Sequence, residues 1–203
     1  VVEINNKNGN YFLDNVDEEY FNEIINLEKD KETQISALLQ GAFNELLIKH
    51  PLKSESVSFT LPFDVFYIMQ VPFDNTLLHQ DLVEEFRWEL SVLYPYVNDD
   101  LVIQYIEVEK NEFISSNTAI VIAVPRKVLH LLYSFTKNNN LNIRFIDNIH
   151  LASERALAVN SSIADNALSL SIYFNNKYLS IIFSSYAKPF YFKTVPINDA
   201  GEI

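Results

Sequence analysis

Four histidines, His50, His79, His130 and His150, are the side chains of this chain best suited to moving protons near neutral pH. No two stand three or four residues apart and none lies in an H-E-x-x-H context, so the sequence offers no helical metal-binding pair. Surface or helix-end positions are their expected setting, and His50, at the end of an apolar-periodic run, would complement a helix dipole. Carboxylates cluster at Asp17-Glu18-Glu19 and at Asp99-Asp100. Such pairs can serve acid–base chemistry or hold a cation. Both clusters fall in turn-like or helix-start contexts, where acidic side chains commonly cap, and capping is the expectation. Ser153 and Ser184 lack the G-x-S-x-G elbow that presents a hydrolase nucleophile. With no cysteine, disulfides, thiolate nucleophiles, zinc ribbons and Cys-ligated iron–sulfur clusters are excluded.

Glycine is scarce, at Gly9, Gly41 and Gly201 only. Loops that cradle phosphate use glycine where backbone N–H groups must come close to the ligand. Neither G-x-G-x-x-G nor G-x-x-x-x-G-K-[ST] is present. The most distinctive local group is Arg87-Trp88-Glu89. It reads either structurally, with Trp88 packed on a sheet and Arg87 paired to a carboxylate, or functionally, as part of a peptide groove. Phe63, Phe66 and Tyr67 carry the same two readings. The chain is 13% aromatic, and most of these rings are expected in the core.

The elements that must position these groups are well marked. A hairpin is expected from Val1–Ile4 and Tyr11–Leu13 around an Asn-rich turn. A helix over Lys31–His50 repeats apolar residues at Ile35, Leu38, Leu39, Ala42, Phe43, Leu46 and Leu47, and Pro51 stops it. Strands follow at Val57–Leu61 and Phe63–Val71, and a helix at Leu77–Leu93. Further strands are expected at Leu101–Val108 and Thr118–Val124. Next come a helix at Pro125–Lys137 with proline in its first turn, a strand at Leu141–Ile146 and a helix at Ile149–Ala158. Leu168–Phe174, Tyr178–Phe183 and Pro189–Val195 read as a three-strand meander. The class is α/β or α+β, large enough for one core or two lobes. The formal net charge of −12 argues against non-specific binding to nucleic acid or anionic lipid. The longest apolar run, Ala119–Val124, is far too short to span a bilayer. A cytoplasmic protein is expected, with the Asn160-Ser161-Ser162 sequon accidental.

The order of these segments resembles the PilM family, actin-like cytoplasmic proteins of type IV pilus assembly within the ASKHA superfamily. Ser58-Phe59-Thr60-Leu61-Pro62 resembles a family strand ending in a leucine–proline step. Phe66–Pro72 resembles the strand that opens an inserted subdomain. Glu84–Glu89 followed by Tyr94-Pro95-Tyr96 resembles the helix carrying Arg-Trp-Glu and its aromatic exit. Ile120–Arg126 and Leu151–Leu157 resemble later family elements. The resemblance implies an actin-like, ribonuclease H-like α/β fold of mixed sheets, incomplete at both ends. Residues 1–61 with 149–167 would form part of the first lobe, 62–148 an inserted α+β subdomain, and 168–203 the start of a second lobe.

The resemblance also implies a phosphate loop at Tyr173–Tyr178, normally Asp-x-Gly followed by small hydroxyl residues. Here Tyr173 replaces the carboxylate that would organise magnesium, Asn175 replaces the glycine, and Lys177 crowds the space. The expectation is therefore a degenerate nucleotide site with no cofactor, no catalytic residue and no metal. The implied role is a non-catalytic adaptor, held at the inner membrane by the cytoplasmic tail of a bitopic PilN-type protein and not itself inserted. Phe63, Tyr67, Arg87 and Trp88 are the candidate partner-binding residues, and a homodimer is an open alternative. The competing reading is an actin-like ATP-binding protein, ATPase or filament former whose nucleotide loops lie partly outside this chain. A third is an actin-like domain of a type II secretion platform.

Overall fold

The computed structural model of the chain describes residues 1–27, 30–95, 97, 100–160, 168–186 and 188–197, with the backbone alone at 157–160. Asp99, Tyr96 and Ser161-Ser162 of the sequon lie outside the described residues. The elements run β1 (Val2–Lys7), β2 (Asn10–Val16), α1 (Glu32–Lys49), β3 (Ser56–Leu61), β4 (Tyr67–Pro72), α2 (His79–Leu93), β5 (Leu101–Val108) and β6 (Thr118–Pro125). They continue with α3 (Arg126–Asn138), β7 (Asn142–Asn148), α4 (Ile149–Asn160), β8 (Leu168–Phe174), β9 (Tyr178–Ser185) and β10 (Lys188–Pro196). The chain divides into two compact units, Val1–Phe59 with Lys127–Ile146, and Thr60–Arg126 with Asp147–Ile203.

In the first unit β1 and β2 form an antiparallel hairpin closed by Asn8-Gly9. Both turn residues have left-handed φ, 56° and 84°, as a two-residue primed turn requires; asparagine tolerates that region and glycine is free in it. The turn is therefore tighter than the Asn-rich cluster suggested, and Asn5 and Asn6 are strand residues. Helix α1 ends where Pro51 forbids its continuation, and its C-cap residue His50 donates its N–H to the Leu46 carbonyl. Asp17 and Glu19 do not cap a helix start. They approach the ammonium of Lys49 at the end of α1, at 3.9 Å and 2.7 Å. Helix α3 buries Val128, Leu131, Leu132 and Thr136, and Phe135 meets Phe43 edge-on at 5.2 Å.

The second unit is layered. Strands β4, β6 and β5 form an antiparallel sheet with β6 at its centre. One face, with Met69, Val71, Val121 and Ala123, packs on Leu82, Phe86 and Leu90 of α2. The other face, with Ile120 and Val108, packs on Ile182, Phe190 and Phe192 of the β8–β9–β10 meander and on Ile149 and Leu151 of α4. Because both faces are covered, β6 is a continuous apolar run rather than an alternating one.

At two prolines the element itself differs from the sequence reading. Phe63–Val71 is not one strand: Pro62 lies at φ −67°, and Phe63–Val65 turn as a single 3-10 helix before β4 begins. The turn aims both Phe63 and Val65 inward. Pro125 is the last residue of β6, opposite Leu101, and not the first turn of α3. Arg126 opens that helix and donates its N–H to the Asp100 carbonyl.

Candidate functional site

The first candidate is the turn between β8 and β9. The Asn175 carboxamide oxygen accepts the backbone N–H groups of both Lys177 and Tyr178, each at 2.8 Å. The Asn175 N–H in turn donates to the Tyr178 carbonyl at 3.0 Å. Asparagine makes such Asx turns because its side chain imitates a backbone carbonyl. The consequence is chemical. N–H groups that a phosphate-gripping turn would aim at oxygen anions are satisfied here from within the loop. Asn175 does not adopt positive φ, so it does not reproduce the conformation that a glycine would supply.

Tyr173 stands where the resemblance places a magnesium-organising carboxylate. Its ring lies 5.2 Å from that of Phe63 and 5.8 Å from that of His150, so it belongs to the core between the sheets. The Lys177 side chain is exposed. Among the described residues no three His, Cys, Asp or Glu side chains come together to hold a metal ion.

The second candidate is the set Phe63, Tyr67, Arg87 and Trp88, which the structure divides. Phe63 and Tyr67 are buried. Phe63 packs on Tyr173, so it joins a residue of the other candidate site rather than a groove. Tyr67 stacks at a tilt on Tyr94, at 5.2 Å. Arg87 is half-buried, donates to the Leu101 carbonyl at 3.2 Å and approaches Glu84 at 3.6 Å. The structural reading of Arg87 therefore holds. That of Trp88 does not: the indole is 63% exposed on the outside of α2. At the neighbouring end of the sheet, Asp100 pairs with Arg126 at 2.5 Å, and that hydrogen bond holds its carboxyl below the usual aspartate range.

Sequence reasoning missed a buried polar centre. His150, expected at a surface or helix end, is only 1% exposed. Its Nδ1 is hydrogen-bonded to Ser180 Oγ at 2.8 Å and its Nε2 to Ser171 Oγ at 2.9 Å. The rings of Phe63, Tyr173 and Phe192 surround it. Burial pushes its pKa below the usual histidine value, against a smaller opposing pull from Glu154. The trio resembles a nucleophile–base pair only in its atoms. It lies between packed layers, and its geometry joins α4 to the meander. A signal for it existed in the serines alternating with apolar residues on β8 and β9, of which Ser171 and Ser180 give a histidine on a facing helix its two hydroxyl partners.

Most of the described aromatic rings are buried or half-buried, as expected, but a sizeable minority are not. Tyr11, Phe12, Tyr20, Phe145, Phe174 and Tyr186 are among those exposed. No described helix is long and apolar enough to cross a membrane.

No family model matches the sequence, and no curated protein sequence matches it. Solved structures do match by fold. One from a PilM-PilN type IV pilus biogenesis complex superimposes with a TM-score of 0.57 at 16% identity, over 79% of this chain and 48% of that one. A Bacteroides thetaiotaomicron protein with an actin-like ATPase fold matches at 0.46 and 13% identity, over 80% and 56% of the two chains. The cytoplasmic domain of EpsL, an inner-membrane component of the Vibrio cholerae type II secretion system, matches at 0.40 and 14%, over 77% and 56%. The last two are too distant to bear on the fold. The first shows that the chain shares the fold of a protein of that complex, a mixture of sheets and helices as the resemblance implied, and that it spans about half the length of the structure it matches.

Proposed function

We propose that this chain is part of a non-catalytic scaffold of a type IV pilus-like or secretion assembly, holding the cytoplasmic tail of a bitopic PilN-type inner-membrane protein. On this reading residues 1–61 with 149–167, 62–148 and 168–203 are parts of an actin-like protein that is peripheral to the membrane through its partner. The observation that carries the non-catalytic half is the β8–β9 turn, whose Lys177 and Tyr178 N–H groups are already bonded to Asn175. A phosphate would have to displace that side chain and would find Tyr173 where a carboxylate could position magnesium. The fold shared with a member of a PilM-PilN complex supports the choice of partner class. Extended or helical tails bind by strand addition or side-chain pockets, and neither mode needs catalysis.

The decisive measurement is a pair of calorimetric titrations on the full-length protein. Magnesium–ATP should give no saturable heat, whereas a peptide of a PilN-type cytoplasmic tail should bind. Saturable nucleotide binding that Asn175→Asp or Lys177→Ala alters would replace the scaffold with the competing ATP-dependent reading.

A further inference from the structure

Helix α2 carries two apolar stripes. The inner one, Leu82, Phe86 and Leu90, is fully used against the β4–β6–β5 sheet. The outer one is Trp88 and Val92, exposed by 63% and 55%, extended by the N-cap residue Leu78, exposed by 74%. A surface helix normally turns polar side chains outward, so a second stripe on the solvent side asks for a partner. Positions 78, 81, 85, 88 and 92 follow three- and four-residue steps and so share one face. Asp81 and Glu85 are therefore set among the apolar residues, and both are exposed. The helix has one arginine, Arg87, and it is turned to the Leu101 carbonyl and Glu84. The outer face is left apolar and negative.

We infer that the outer face of α2, centred on Trp88, docks a basic amphipathic segment of a partner polypeptide. Aliphatic residues of that segment would cover Trp88 and Val92, and Lys or Arg side chains would meet Asp81 and Glu85. The chemistry selects this occupant. An acidic segment would be repelled by the rim and by a chain of net charge −12. A purely polar basic tract would leave the indole wet, while Lys and Arg stems lie well over an aromatic face and their heads are attracted to it. Tryptophan is also among the residue types enriched in interface hot spots. The inference rests on the scaffold reading only in taking the partner to be a polypeptide. It names a surface which that reading does not require.

Trp88 is the single tryptophan of the chain, so its emission reports this face alone. The probe is a synthetic leucine–lysine amphipathic peptide titrated into the intact protein, with a leucine–glutamate peptide of the same pattern beside it. The expected result is a saturable blue shift with the first and none with the second. Asp81→Lys with Glu85→Lys should weaken binding roughly tenfold, on the order of one to two rim charge contacts. Glu32→Lys with Glu45→Lys makes the same charge change on exposed positions of α1 and should leave affinity nearly unchanged. Equal weakening by both double variants, or no emission shift with the basic peptide, overturns the inference.

A PilN-type tail peptide separates this inference from the scaffold reading. If the tail binds while the leucine–lysine peptide leaves Trp88 emission unmoved, the α2 surface falls and the scaffold stands. If the tail does not bind while the leucine–lysine peptide does, the partner class falls and the α2 surface stands.

Discussion

The two three-stranded sheets of the second unit have the same strand count and the same antiparallel pairing, yet they stand differently toward water. In β4–β6–β5 every residue of β6 but Ile122 is buried, because α2 covers one face and the meander with α4 covers the other. In β8–β9–β10 one face alone is covered. Strand β8 turns Ser169, Ser171 and Tyr173 inward and Leu168, Leu170, Ile172 and Phe174 outward, with Phe174 at 75% exposure. Registered across from them on β9 are Phe183, Ile181 and Leu179, and on β10 Tyr191, Lys193 and Val195. The outer face is thus mostly apolar, with Ser185, Lys188 and Lys193 its polar exceptions, while much of the inner face is hydroxyl. Alternation tells that a strand has two unlike faces; it does not tell which one is buried. Here the polar face goes inward because His150 meets two of its hydroxyls there.

That contrast is broken or sharpened most strongly at Phe86, the fully buried ring at the centre of the covered face. Phe86→Ala should cost about 3–5 kcal/mol, the sum of lost transfer energy and the cavity left between α2 and the sheet. Urea unfolding with an unchanged slope is the measurement. A cost near 1 kcal/mol would mean that α2 is not the lid its contacts describe.

His150 gives the next largest effect and tests the polar interlayer. His150→Ala strands the hydroxyls of Ser171 and Ser180 and should cost about 2–3 kcal/mol, more than the triple change that also makes both serines alanine. The wild type should also be pH-sensitive in a defined direction. The folded state holds His150 neutral with a pKa below the 6.5 of the free side chain. The unfolded state therefore takes up the proton first, and stability falls as pH drops through about 6.5 toward the folded value. Urea midpoints measured from pH 8 to pH 5 should show this loss in the wild type, and a smaller one in His150→Ala.

Much of the fold was legible because periodicity and punctuation agreed. Leu101–Val108 and Leu168–Phe174 have the boundaries that alternation gave them, and Pro51 ended α1 as proline must. The failures have local physical causes. Pro62 converted the start of a strand into a turn, and Pro125 proved compatible with a strand end. The candidate sites were less legible. Arg87-Trp88 marked an exposed helix face, but Phe63 and Tyr67 share its composition and are core, since an aromatic side chain carries no label for the layer that will cover it. That Tyr173, Asn175 and Lys177 flank or occupy a turn was legible. That Asn175 closes the loop by bonding the Lys177 and Tyr178 N–H groups required coordinates. His150 was hidden because its partners are 21 and 30 residues away.

The smallest expected effect tests the open face itself. Ile172 lies midway along β8, an edge strand, with its side chain outward beside Ile181. If that face meets water, Ile172→Lys removes little buried area and introduces a charge that stays hydrated, so stability should change by about 0.5 kcal/mol or less. The same change should reduce binding of a hydrophobic dye and any concentration-dependent association, because it places a cation in the middle of the apolar patch. Denaturation in urea reads the first and sedimentation velocity the second. A loss of more than about 2 kcal/mol would show Ile172 to be buried in the folded protein, as a buried unpaired charge would be. The two sheets would then be alike, each covered on both faces, and the apolar exterior of β8 would be a second core rather than a surface.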